Sequence, residues 1–132
     1  YIAQHGGLSE LKELTRHNCL RFVLEDVVHE RWCFYPGADG EPVAIHVNGN
    51  RSADDADVVR RWAVAGLGVA YKSRLDLSED LRAGRLRILM PDVLGEPTPL
   101  NMLCMHRSQI TPTVLQLRDF LRAQCEQASR GA

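Results

Sequence analysis

The sequence predicts an α/β fold with a mixed sheet and flanking helices, and three observations carry that prediction. Apolar runs of strand length alternate along the chain with runs of helical spacing. Residues 31–47 read as a β-hairpin, because apolar segments flank the turn residues Pro36, Gly37, Asp39 and Gly40. Residues 52–81 read as helix, glycine turn, strand and second helix, with no active-site motif inside. That is the build of a sensing lobe rather than a catalytic one.

The elements follow in order. Leu8, Leu11 and Leu14 predict a short helix, capped by Ser9. The apolar run 19–24 predicts a strand, and 31–35 a second one. Val43, Ile45 and Val47 alternate with Ala44 and His46, the period of a half-buried strand. Residues 48–53 form a polar connection. In the helix that follows, Val58, Val59, Trp62, Ala63 and Ala65 make a broad apolar face, which places Trp62 in the core and leaves Arg60 and Arg61 off it. Gly66 ends that helix, where a positive φ suits glycine.

Residues 69–71 predict a buried strand. A helix over 74–83 carries Leu75, Leu77 and Leu81 and stops at Gly84. Leu86, Ile88 and Leu89 predict another strand, ended by Pro91. Residues 92–99, with two prolines and a glycine, predict a linker, and 100–105 a further strand. The last helix has the clearest start signal: Thr111 as N-cap, Pro112 at the first helical position, and Ile110 positioned to staple onto Leu115. Val114, Leu117, Leu121 and Cys125 form its apolar stripe, and the tail 127–132 is expected to fray.

Composition narrows the function. A length of 132 residues suits one ordinary domain, with 45% hydrophobic and 25% charged residues. A formal charge of -1 argues against a nucleic-acid surface, which needs uncompensated Lys and Arg. No apolar run approaches membrane-spanning length. The chain opens on Tyr1 without a signal peptide, and reads as cut from something longer. The four cysteines (Cys19, Cys33, Cys104, Cys125) lie in apolar settings without metal spacing, and read as buried, reduced thiols of a cytoplasmic protein.

Motifs for catalysis and metal binding are missing from the sequence. The Gly66-Leu67-Gly68 pair follows a helix and precedes a strand, the reverse of a phosphate cradle. The five histidines are scattered, and no ligand set completes a metal site around His17 and Cys19. No cofactor is expected. Ser52, Asp54, Asp55 and Asp57 open the central helix; Ser52 or Asp54 serves as N-cap, and the acids suit the helix dipole. Because those acids already offset the dipole, a bare carboxylate ligand gains little there. A ligand with hydrogen-bond donors fits better, as does one whose anion is met by Lys72. Lys72 and Ser73 follow a strand and precede a helix, the carboxyl edge where α/β proteins hold ligands; a solvated lysine and an N-cap serine explain them equally well. Arg21 and Arg31 read as snorkelling arginines and Trp32 as a packed side chain.

Taken together, YIAQHG, LSELKEL, HNCLRF, the spaced Trp32-Cys33-Phe34, Gly40-Glu41-Pro42, VAIHVNG, RRWAVAGLGVAYKSRLDLSEDLRAGRL and SQITPTVLQLRDFL resemble one known arrangement. The chain resembles the second half of the effector-binding domain of LysR-type transcriptional regulators over nearly its whole length. Each motif is loose; their order and spacing are specific. The resemblance implies a periplasmic-binding-protein-like (type 2) lobe with a mixed sheet and flanking helices, plus the last strand and helix of the other lobe. Residues 1–90 would form the second lobe, 91–99 the crossover linker, and 100–132 a strand and helix returning to the first lobe. It also implies a non-enzymatic sensor. A small-molecule effector would bind between the lobes and control transcription, and DNA would be read only by an N-terminal domain absent from this chain.

Carried onto this sequence, the effector-binding candidates are Ser52, Asp54, Asp55, Lys72 and Ser73. Many relatives have proline near Ser73; Lys-Ser stands here, which leaves the ligand class open. With half the cleft absent, this chain should bind effector weakly, and its unpaired apolar strand should drive self-association. The alternatives are a solute-binding lobe of a transport protein, marked by a signal peptide upstream, and an enzyme on the same scaffold, marked by convergent acid–base groups.

Overall fold

At the centre lies β1 (Cys19–Leu24). It is an uninterrupted apolar run apart from Arg21, as suits a strand covered on both faces. The computed structural model describes residues 1–37 and 41–130. In it β1 pairs antiparallel with β2 (Val27–His29), and parallel with β5 (Arg51–Ala53) and β6 (Val69–Ala70). The mixed sheet of the sequence prediction is therefore present.

Two of its strands escape the sequence reading. The β1–β2 hairpin turns on Glu25 and Asp26 at φ 49° and 61°, without the glycine that usually marks such a turn. The stretch read as a polar connection, 48–53, holds β5, whose three residues are too few for a period to register.

A second, antiparallel sheet runs β4 (Val43–His46), β3 (Arg31–Pro36) and β7 (Val93–Gly95). Its hairpin is as expected, although Asp39 and Gly40 lie outside the described residues. β7 falls within the expected linker and pairs Phe34 with Gly95. Residues 86–89, expected as a strand, have no strand structure, and the strand that follows α3 is β7 instead. Residues 100–105 also form no strand, since no described strand runs beside them to complete a ladder.

The helices are α1 (Ile2–His5), α2 (Ala56–Val64), α3 (Arg74–Arg82) and α4 (Pro112–Arg130); α2 packs on the mixed sheet and α4 on α3. The expected first helix is a 3-10 helix over Leu11–Arg16. Its N-cap is Glu10 rather than Ser9; the Ser9 amide and hydroxyl instead donate to the Glu13 carboxylate at 2.6 and 3.0 Å. Gly66 (φ 71°) and Gly84 (φ 68°) follow α2 and α3 in the left-handed region, as the stops required. α4 starts as expected, with the Val114 amide donating to Thr111 Oγ1 at 3.4 Å. It continues through Arg130 rather than fraying from 127; the last two residues lie outside the described ones.

Leu14, Cys19, Trp32, Phe34, Ile45, Val47 and Val69 form the core between the two sheets. On the other face of β1, Leu20 is buried beneath α2 together with Val59. Trp62 is not core: it is half-exposed, with the Arg51 guanidinium 5.6 Å from its ring centroid. At the amino ends of the parallel strands, Asn18 Nδ2 donates to Leu67 O at 2.7 Å and to Asn50 Oδ1 at 3.0 Å, and the Asn50 amide donates back to Asn18 Oδ1 at 2.9 Å. Gly49 is obligatory beside this clasp, because a Cβ there would run into the Cys19 carbonyl. Among the described residues no helix is long and apolar enough to cross a membrane.

Candidate functional site

The parallel strands aim their carboxyl ends at one edge, and the sequence leaves that edge through two helix starts. β5 ends at Ala53 and leads through Asp54 and Asp55 into α2; β6 ends at Ala70 and leads through Lys72 and Ser73 into α3. In open α/β sheets this edge is where crevices form. Lys72 joins the two starts: its Nζ donates to the Ala56 carbonyl at 2.7 Å and pairs with Asp76 in the first turn of α3.

The five predicted residues divide by what they already do. Asp55, rather than Ser52 or Asp54, is the N-cap of α2: Oδ1 accepts from the amides of Asp57 at 2.7 Å and Val58 at 3.4 Å. Lys72 is no solvated lysine; its side chain keeps 8% exposure and its ammonium is already paired. Both are committed to holding the edge together. Ser52 lies opposite Arg21 in the β1–β5 register and is exposed. Asp54 is exposed, with no partner among the described residues. Ser73 sits at the N-cap of α3 with extended backbone, and its hydroxyl makes no cap bond. Ser52, Asp54 and Ser73 therefore offer two hydroxyls and a carboxylate to solvent, on a shelf braced by Asp55 and Lys72. Such a shelf accepts and donates hydrogen bonds. It holds no nucleophile–base pair, the first requirement of acyl or phosphoryl transfer chemistry.

Sequence reasoning missed the charged group that fixes α2 against α3. Asp80 on α3 is 2% exposed, and receives Arg60 Nη1 of α2 at 2.7 Å and Arg85 Nε at 2.6 Å. Arg60 also donates from Nε to Asp57 Oδ1 at 2.8 Å. Hydrogen bonds from Arg60, then Arg85, hold the Asp80 carboxyl below the usual aspartate range. Arg60 and Asp80 lie 20 positions apart, so no local spacing could announce the pair. Arg21 is half-buried, donating to Glu30 Oε2 at 3.1 Å and Gly49 O at 3.0 Å, and Trp32 is packed as expected.

The cysteines do not share one environment. Burial pushes the Cys19 thiol up to about 12, which makes it inert, whereas Cys104 is exposed. No group of three or more His, Cys, Asp or Glu is gathered around a metal position among the described residues.

A cavity of about 570 Å³ opens beside the shelf, between α3 and the core. Of the five residues only Lys72 lines it; its walls are otherwise largely apolar.

A family model described as LysR substrate binding domain matches residues 1–126. The chain is 28% identical over 130 residues to the HTH-type transcriptional activator TtdR of Escherichia coli K12, covering 96% of this chain and 40% of that protein. It is 29% identical over 110 residues to the HTH-type transcriptional regulator DmlR of the same strain, covering 83% of this chain and 34% of that one. The regulatory domain of AphB from Vibrio vulnificus superposes with a TM-score of 0.68 at 22% identity, over 94% of this chain and 60% of that one, a likeness of fold. The full-length Vibrio cholerae virulence activator AphB gives 0.61 at 25% identity, over 73% of this chain and 32% of that one.

Proposed function

The chain belongs to the LysR substrate binding domain family, and from that premise we propose that it is the effector-sensing part of a LysR-type transcriptional regulator, acting in the cytoplasm. It spans 40% of the length of TtdR, so the activity of the whole protein is part of the proposal. A small polar molecule binds over the shelf, where Ser52, Asp54 and Ser73 contact it and Asp55 and Lys72 hold the two helix starts in place. Residues 1–90 form one lobe of the cleft, 91–99 cross over, and 100–132 belong to the other lobe. Closure of the second lobe changes how the regulator presents its DNA-binding parts, which lie elsewhere in the protein. The effector shifts that equilibrium only by its differential affinity for the two states.

The observation that carries this reading is the convergence of the starts of α2 and α3 at one strand edge, tied by the 2.7 Å bond from Lys72 to Ala56. The role is binding, not catalysis, because the shelf offers hydrogen bonds and no reacting pair. The relatives named above are regulators, and none is a transport protein.

The test is a thermal-shift screen of small polar metabolites against the full-length regulator, followed by reporter transcription with each hit. A hit that stabilises the protein and changes transcription, and loses both effects in Asp54→Asn and Ser52→Ala, is expected. A hit unaffected by these changes removes the shelf from the binding site, and turnover of the hit replaces sensing with catalysis.

A further inference from the structure

α3 buries two of its polar side chains and leaves its leucines only partly covered. Ser78 and Asp80 are its buried residues, while Leu75, Leu77 and Leu81 keep partial exposure. Leu77 and Leu81, four positions apart on one helix face, line the cavity of about 570 Å³. Across it stand Trp32, Phe34 and Tyr71. Trp32 and Tyr71 stack with ring centroids 5.3 Å apart, and Phe34 meets Tyr71 edge-on at 5.1 Å. Leu86 and Leu89, in the chain that leaves α3, line it as well. The volume lies within the range that holds small molecules, and the lining is largely apolar.

The charge around the cavity has one sign. Its charged lining residues are Lys72, Arg74, Arg85 and Arg87, with no carboxylate among them. Lys72 is paired with Asp76, Arg85 with Asp80 and Glu79, and Arg74 is engaged as well. Arg87 is exposed and has no partner among the described residues. One uncompensated guanidinium therefore stands beside an apolar chamber.

We propose that this cavity is a second ligand site, for an amphipathic monoanion. Its aliphatic or aromatic body lies between the leucines of α3 and the Trp32–Tyr71 pair, and its carboxylate meets Arg87. The site is separate from the polar shelf, with which it shares Lys72 alone. It stands whether or not the shelf binds the effector.

Calorimetric titration of the full-length protein with decanoate, below its micellar concentration, and with decanol as the neutral match, tests this. Decanoate is expected to bind, and decanol to bind about tenfold more weakly. Leu81→Trp fills the cavity and weakens decanoate by about tenfold or more; Leu77→Phe does the same should the first variant fail to fold, folding being checked by circular dichroism. Arg87→Gln brings decanoate down to the level of decanol. Asp54→Asn, on the shelf, leaves decanoate binding in place. Absence of decanoate binding overturns the proposal, as does binding that survives both cavity-filling changes in folded protein. Loss of binding in Asp54→Asn also overturns it, by moving the ligand to the shelf. Self-association that Leu81→Trp abolishes, in protein that binds no decanoate, overturns it by putting a second copy in the cavity.

Discussion

Asp80 keeps its charge where burial alone would favour the neutral acid, because Arg60 and Arg85 donate to both of its oxygens. Its folded pKa lies below the unfolded value, so its stabilisation is present above the ordinary aspartate range and is lost as pH falls through the depressed folded value. Acid titration of the thermal midpoint should show this, with a weaker acid dependence in Asp80→Asn. Asp80→Ala removes the acceptor shared by two guanidiniums and should lower stability by about 2 kcal/mol in urea unfolding, discounted for the partly exposed partners. Unchanged stability in Asp80→Ala would mean that solvent screens the whole group. Of the site, the sequence discloses the polar residues at the two helix starts. It does not disclose which are free, because Lys72 spends a bond on the Ala56 carbonyl, 16 positions away and brought near only by the fold, and because the start of α2 decides which of Ser52, Asp54 and Asp55 is spent on the cap.

Elements with strong periods or caps are legible in the chain: β1, the β3–β4 hairpin, α2, α3 and α4 all stand close to where apolar spacing and capping residues place them. Elements that exist only because a neighbour exists are not. β5 and β7 have three residues each, and owe their strand form to ladders with β1 and β3. The apolar run 100–105 errs the other way, carrying strand composition with no ladder to join. β2 was hidden by a turn that violates its own chemistry, with Glu25 and Asp26 both at positive φ. Asp26→Gly relieves that conformation and should raise stability by about 0.5–1 kcal/mol, read as a higher urea midpoint at unchanged slope. A lower midpoint would mean that the Asp26 side chain contributes more to the turn than its backbone costs.

Across the whole molecule, exposed apolar side chains are most frequent in residues 100–121. Leu103 and Met105 are 90% and 96% exposed, and Phe120 and Leu121 on α4 are 60% and 45% exposed. α4 packs mainly against α3 and covers little of the core. Exposed apolar area of this kind drives association, and light scattering of this chain should show mass rising with concentration. Leu103→Glu combined with Phe120→Glu should return it to a monomer; a chain that is monomeric without these changes would mean that this apolar area folds back on itself. The central sheet has a different consequence, in time rather than in space. β1 meets β2 across two residues, but its parallel partners, Arg51–Ala53 and Val69–Ala70, come much later in the chain. A chain emerging from the ribosome can close the β1–β2 hairpin at once, yet must hold the opposite edge of β1 bare until residue 53 is out, and the start of the hairpin edge bare until residue 70 is out. The strand at the heart of the sheet is thus born early and completed late, and the pace of translation between residues 30 and 70 sets how long a chaperone can compete for it.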